Sequence, residues 1–280
     1  MGLLKSVIVA RPRSLGVAVV PALVGSGLAL AGGGATAWKL WAACVPALIL
    51  VQVGANFVAA SVVDTRPGAQ RLGTLCFVMA LIFGWTVVKE RGWPLLVLAI
   101  WGGVAVLTVP GGDIGLVQYT WGDTVVSLLT VVAITTGAKY IHQGGALVNR
   151  DALTAGAQVG LLSSQLLAIA NLRDCKGDTD SNRIHSELPD RAMWTRLQIC
   201  LQACAAYGLS WHWAVQGLWR AAIYPLATSP VAAGLVLHAV FSSPTSQRDQ
   251  AKLQHQMGLL HLAFGILLAT GLAMSPHSLG

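Results

Sequence analysis

The chain alternates between long apolar runs and short polar connections. Each run is close to the ~20 apolar residues that cross a bilayer as a helix. The nine runs cover residues 14–33, 41–63, 72–88, 94–109, 121–140, 152–170, 196–215, 218–241 and 257–274. The pattern predicts an all-α polytopic membrane protein with nine transmembrane helices in one bundle over residues 14–274. An interfacial N-terminal segment (1–13) precedes the bundle and a short tail (275–280) follows it.

Composition supports membrane insertion and excludes an ordinary soluble domain. The chain is 55% hydrophobic and 10% charged, with a mean hydropathy of +0.65, whereas soluble chains carry roughly 25% charged residues. The net charge of +7 is spread between the apolar runs, which argues against nucleic-acid binding because that function needs a clustered basic surface. Membrane lipids are therefore the expected surroundings.

The distribution of Lys and Arg predicts the orientation. Nine spans place the N-terminus on the same side as the connections around 64–71, 110–120, 171–195 and 242–256, and this side holds 12 of the 18 Lys and Arg residues. The positive-inside rule puts the richer side in the cytoplasm, matrix or stroma. We therefore expect an integral protein of a bacterial inner membrane or an organelle inner membrane, with its acidic site on that side.

An acidic stretch directly after the sixth run is the main candidate site. Three of the eleven acidic residues lie within residues 174–180. Asp174 and Asp178 are four positions apart and share one face if the helix continues, so both can bind a divalent cation that keeps positions for water or phosphate oxygens. Arg173, Lys176 and Arg183 surround them as candidate phosphate contacts. The alternative is a solvated loop that only ends a membrane helix.

A second polar stretch ends the second run on the same predicted side. Asn56, Ser61 and Asp64 lead into a connection that contains Arg66. A carboxylate at membrane depth costs about 2.5–3.5 kcal/mol on insertion scales and tends to face a cavity or a partner. Asp64 is near the interface, so a functional role and simple snorkelling remain alternatives.

The order of these motifs resembles the UbiA superfamily of intramembrane prenyltransferases, in particular the branch that prenylates 1,4-dihydroxy-2-naphthoate in menaquinone and phylloquinone synthesis. The matching segments are R-P-R-S-L at 11–15 with P-A-L-V-G at 21–25, G-D at 122–123 with G-A-K-Y at 137–140, N-L-R-D at 171–174 with Asp178, and L-A-F-G-I-L-L-A at 262–269 with Leu253. The resemblance covers essentially the whole chain, and it implies the nine-helix fold of that family.

The first aspartate-rich motif of the branch, approximately N-x-x-N-[DT]-x-x-D-x-x-x-G-x-D, is eroded here. Ala60 stands at its second Asn, Ser61 at its Asp/Thr position and Gln70 at its last Asp, while Asp64 remains. Asn56 lies one residue out of register with the first Asn. After the second motif, the usual Gly-Lys-x-Thr is replaced by N-R-I-H at 182–185.

The resemblance implies a Mg²⁺-dependent transfer of an isoprenoid from its diphosphate to an aromatic quinone precursor such as 1,4-dihydroxy-2-naphthoate. It assigns Mg²⁺ to Asp64, Asp174 and Asp178, and these three carboxylates suit one ion better than two. It makes Tyr140 a residue that faces the aromatic acceptor or the allylic cation. It assigns the diphosphate to Arg173, Arg183, Lys176, Arg66, Asn171 and Asn56.

Two other function classes remain open. The eroded first motif also fits a catalytically inactive UbiA-like protein that binds lipid or quinone as a structural subunit of a larger membrane complex. A transporter is the third class, although no paired broken helices in corresponding halves are evident in the sequence.

Overall fold

The computed structural model describes residues 15–33, 37–64, 67–108, 122–177, 188–241 and 247–275, and within these ranges the fold is all-helical without strands. The helices of the described residues are α1 Leu15–Ala31, α2 Trp38–Asp64, α3 Pro67–Arg91, α4 Trp93–Thr108, α5 Gly122–Gln143, α6 Arg150–Gly177, α7 Leu188–Gly208, α8 Ser210–Val215, α9 Trp219–Leu226, α10 Ser229–Phe241 and α11 Gln247–Ala273. Residues 1–14, which include the whole predicted interfacial segment, and 276–280 of the tail lie outside the described ranges.

The prediction of a helical membrane protein is confirmed. Five of the described helices, namely α2, α3, α5, α6 and α11, are long and apolar enough to cross a membrane, and the bent pair α9 and α10 makes a sixth if it is one span. Helices α1 and α4 are apolar but shorter. The number of nine spans stays a prediction.

Consecutive helices pack as antiparallel hairpins. In the pair α5 and α6, Gly156 approaches Val132 while Gly160 approaches Leu128, so residue numbers rise in one helix as they fall in the other. Helix α2 packs on α3 in the same way, because Gly54 approaches Phe77 and Gly73 approaches Val58. Helix direction therefore decides which residues share an end of the bundle.

One end, here called the His142 end, is where α1, α3 and α5 finish and α2, α4 and α6 begin. Left-handed glycines stop two of these helices: Gly92 has φ 84° and Gly144 has φ 68°, a region that glycine enters without strain. Asn149 starts α6, because its Oδ1 accepts hydrogen bonds from the amides of Asp151 (2.8 Å) and Ala152 (3.3 Å). The opposite end, here called the Asp174 end, is where α2 and α6 finish and α1, α3 and α5 begin.

Helix α1 lies in the middle of the described bundle and packs against α2, α5, α6 and α11. Its glycines allow this close approach: a Cβ on Gly25 would overlap the carbonyl oxygen of Thr135, and one on Gly27 would lie 2.5 Å from the carbonyl oxygen of Ala269. Small residues at helix contacts are typical of membrane bundles, where packing replaces the hydrophobic effect. The core is therefore set by backbone contact around α1.

Helices α3 and α4 present large apolar side chains outward. Leu81 is 70% exposed and Trp93 is 73% exposed, with Ile82, Trp85 and Ile100 also on the surface. In water such a surface would be unfavourable, but it matches lipid tails. The exposed apolar surface agrees with an integral membrane protein.

Two predicted spans are broken. The run 196–215 divides into α7 and α8 at Leu209, and the run 218–241 divides into α9 and α10 with a bend of 44°. Pro230 explains the second break, since it lacks an N–H and its ring crowds the carbonyl of Leu226. Thr228 Oγ1 donates to the carbonyl of Pro225 (2.7 Å) within the bend.

Candidate functional site

The two acid-bearing turns of the sequence lie at the same end of the bundle. Asp64 is the last residue of α2, and Asp174 is three positions before the last residue of α6, Gly177. Both helices begin at the His142 end, so both run toward the opposite end. The structure thus brings the helical backbones of these two candidates to the Asp174 end.

The other residues of the predicted site divide into two groups. Asn171, Arg173 and Lys176 are on the last two turns of α6 with Asp174. Only the helical backbone is described for these four and for Asp64. Arg66, Asp178 and Arg183 lie outside the described residues.

Helices α1 and α5 stand between the two acid-bearing helices, because each packs against both α2 and α6. Both α1 and α5 begin at the end of the bundle where α2 and α6 finish. Asn56 is buried on α2, eight positions before Asp64, or about 12 Å nearer the His142 end. This places Asn56 inside the bundle, about two turns from Asp64.

The structure does not bring Tyr140 to the Asp174 end. Its hydroxyl donates to the carbonyl of Arg91 (3.1 Å) at the C-terminus of α3. That position is at the His142 end, where α6 begins at Arg150, and Asp174 is 24 helical residues, or about 36 Å, along α6. Tyr140 therefore joins α5 to α3 and is remote from the acid-bearing turns.

A closed hydrogen-bond network holds the His142 end together. The amide of Ala37 donates to Nδ1 of His142 (3.1 Å), so the proton of a neutral ring is on Nε2, which faces Oγ of Ser26 (3.0 Å). The Ser26 hydroxyl donates to the carbonyl of Ala22 (2.8 Å), and Arg91 donates to the carbonyl of His142 (3.1 Å). Both ring nitrogens of His142 have a hydrogen-bond partner, which is typical of a histidine with a structural role.

Asp151, His212 and Gln216 form a second polar cluster at the His142 end. Oδ1 of Asp151 accepts from His212 Nε2 (3.1 Å) and from Gln216 Nε2 (2.9 Å), which ties α6 to α8. Farther inside, Gln158 accepts from the indole of Trp213 (2.6 Å) and donates to Ser210 (3.2 Å). These contacts fix the broken segment α8 against α6.

A buried group of polar side chains lies in the half of the bundle nearer the acids, and sequence reasoning missed it. Thr124 in the first turn of α5 accepts hydrogen bonds from the amides of Gln198 and Gln202 on α7, and Gln165 donates to the carbonyl of Ile199 (2.9 Å). We call Thr124, Gln198 and Gln202 the glutamine layer. The signal in the sequence was the spacing of Gln198 and Gln202, which puts two amides on one face of a helix.

No protein-family model and no curated protein matches this chain. In the part of the chain that the structure describes, no group of three or more His, Cys, Asp or Glu side chains has metal-binding geometry. We take the acid-bearing ends of α2 and α6, together with the glutamine layer, as the candidate site.

Proposed function

We propose that the protein is a membrane prenyltransferase that moves an isoprenoid from its diphosphate to an aromatic quinone precursor such as 1,4-dihydroxy-2-naphthoate. The observation that carries the proposal is the common position of Asp64 and Asp174, which lie in the last turns of α2 and α6 at one end of the bundle. The resemblance of the motifs to the UbiA superfamily supplies the reaction.

The donor set fits Mg²⁺. Mg²⁺ is a hard cation that takes oxygen ligands, usually one or two protein carboxylates together with waters and substrate phosphates. Asp64, Asp174 and Asp178 are the residues that would hold it. When bound, Mg²⁺ supplies positive charge that stabilises the departing diphosphate.

The chain's own residues have two tasks in the reaction. Arg173 and Arg183, with Lys176 and Arg66, donate hydrogen bonds to the diphosphate oxygens as negative charge develops on them. The C–O bond breaks with its electron pair on the diphosphate, an aromatic carbon forms the new bond to the allylic carbon, and that ring carbon then loses its proton to the released diphosphate. The apolar helices exclude water from the allylic cation.

The test uses the purified full chain in proteoliposomes with a prenyl diphosphate, 1,4-dihydroxy-2-naphthoate and Mg²⁺. We expect prenylated, lipid-soluble product that falls to background with excess EDTA and returns when Mg²⁺ is restored, because the diphosphate cannot leave without charge neutralisation. Product is measured by chromatography and mass spectrometry.

Absence of product with prenyl donors of several chain lengths, and with 4-hydroxybenzoate as a second acceptor, would contradict the proposal. Co-purification of other membrane proteins at fixed stoichiometry would then favour the catalytically inactive subunit. Product that forms without Mg²⁺ would contradict the assignment of the three carboxylates as Mg²⁺ ligands. It would still support the assignment of prenyl transfer.

A further inference from the structure

The glutamine layer contains hydrogen-bonding groups that are buried without partners. Gln198 is 1% exposed and Gln202 is 3% exposed, and the Nε2 atoms of both donate to the single hydroxyl oxygen of Thr124. The Oε1 atoms of both glutamines have no hydrogen-bond partner. Buried polar atoms in folded proteins nearly always have a partner, so this place lacks a donor.

Exchanging the oxygen and nitrogen positions of a glutamine amide does not supply the missing hydrogen-bond donor. The two ends of a glutamine amide are assigned from the hydrogen-bond network, so one amide can be turned to accept the hydroxyl proton of Thr124. A hydroxyl has only one proton, and the oxygen of the other amide stays without a donor. In the turned residue the N–H groups then lose their acceptor.

The unpartnered oxygens lie in one small region in the half of the bundle that is nearer the Asp174 end. Both amides bond the same hydroxyl, which confines their oxygens to its neighbourhood. On neighbouring helices, Gly160 of α6 approaches Leu128 of α5. Thr124 is one turn before Leu128 on α5 and therefore nearer the Asp174 end. On the antiparallel helix α6, the corresponding level is that of Gln165. From Gln165, Asp174 is nine residues, or about 14 Å, along the helix.

A neutral hydroxyl suits this place better than a cation. The acceptors are uncharged carbonyl oxygens in an apolar bundle, so they compensate none of the charge that a metal ion would bring, and a buried uncompensated charge is costly. A hydroxyl group donates to such an oxygen without bringing charge. A phenolic hydroxyl is such a donor, and its ring is apolar like most side chains of the bundle.

We propose that Thr124, Gln198 and Gln202 bind the hydroxyl of a neutral hydroquinone or phenol head group. The inference deepens the proposed function, on which it rests, because it assigns the aromatic acceptor to the interior side of the acid-bearing turns. It also separates the two substrates: the diphosphate lies at the interface and the ring lies deeper between α5 and α7.

The test measures binding alone, with neither Mg²⁺ nor prenyl diphosphate. The full chain in nanodiscs is titrated with 1,4-naphthohydroquinone, kept reduced, and with its dimethyl ether, and binding is followed by calorimetry. We expect the hydroquinone to bind at least about tenfold more tightly, which is the factor that about 1.4 kcal/mol provides. The double variant Gln198→Leu/Gln202→Leu should bind the two compounds within about twofold of each other.

Two controls separate recognition from folding. Gln198→Asn keeps an amide but shortens the side chain, and we expect it to reduce the preference without loss of the helical fold. Gln165→Met removes a buried amide whose N–H already bonds Ile199, and the preference should survive. Each variant is compared by circular dichroism and unfolding temperature before titration.

Equal binding of the hydroquinone and its ether by the parent protein would overturn the inference, since water would then fill the site. A preference that persists in the double variant would overturn it as well. Failure of the proposed function is a different result. If the parent protein prefers the hydroquinone but forms no prenylated product, the head-group site is supported and the transferase proposal is contradicted.

Discussion

The Asp174→Asn variant will fold like the parent and lose at least about 100-fold in the rate of prenyl transfer. The change removes one negative charge and one oxygen ligand from the end of α6, where the proposal places Mg²⁺. A metal ion contributes several kcal/mol of charge stabilisation to such a step, and 1.36 kcal/mol is a factor of ten in rate. The initial rate of product formation in proteoliposomes, at saturating substrates, measures the loss.

Glu90→Gln is the matched control for this variant. Glu90 is exposed near the end of α3, at the His142 end of the bundle, so its neutralisation changes the net charge equally without reaching the candidate site. We expect its rate to stay within about twofold of the parent. If Asp174→Asn keeps more than a tenth of the parent rate, Asp174 is not a ligand that the reaction needs.

The largest expected effect on stability is that of Gly27→Leu. A Cβ at this position would lie 2.5 Å from the carbonyl oxygen of Ala269 and 3.0 Å from its Cα, so a side chain there must push α1 away from α11. Overpacking of a core costs about 1–3 kcal/mol and occasionally more, and we expect more than about 3 kcal/mol because the obstacle is backbone. The unfolding temperature in detergent measures the change.

Gly234→Leu is the control for that substitution. Gly234 is an exposed glycine inside α10, and a Cβ there would meet nothing within 4 Å. Leucine is a better helix former than glycine, so this variant should unfold at or above the temperature of the parent. An equal loss of stability in both variants would show that the close packing of α1 on α11 is not what holds the bundle.

Much of the helical arrangement was accessible from the sequence because membrane helices leave a strong apolar signal. The runs 14–33 and 72–88 correspond to α1 and α3, and the run 257–274 corresponds to the later part of α11, which begins ten residues earlier at Gln247. Eight of those ten residues are polar, so an apolar pattern alone could not include them. The helix extends over them with Leu253, which is buried in a core cluster with Ile199 and Ala168.

The breaks were harder to predict. An apolar run gives no direct sign of a change in helix direction, and hydropathy joined α9 to α10. Pro225 and Pro230 were the available local signals, since proline removes a backbone donor and crowds the preceding turn. At the end of α8, Gly217 has φ 77°, but the division at Leu209 depends on tertiary contacts such as those of Gln158 with Ser210 and Trp213.

The candidate site was partly accessible. Alternation of helix direction places Asp64 and Asp174 at the same end of the bundle because they follow the second and sixth predicted spans. The same rule places Tyr140, at the end of the fifth span, at the other end. The glutamine layer was not found because a glutamine in an apolar run has no fixed meaning. Only the hydrogen bonds between α5 and α7 show that Gln198 and Gln202 meet one hydroxyl and leave two oxygens unpartnered.

Binding of Mn²⁺ in place of Mg²⁺, followed by electron paramagnetic resonance in the presence of a prenyl thiolodiphosphate, tests the joint role of Asp64 and Asp174 most directly. If the two carboxylates hold one ion, Asp64→Asn and Asp174→Asn will each weaken binding at least about tenfold, and the double variant will lose less than the product of the two losses, because groups that share a partner are not additive. Losses that multiply, or a variant that binds Mn²⁺ like the parent, would contradict a shared site.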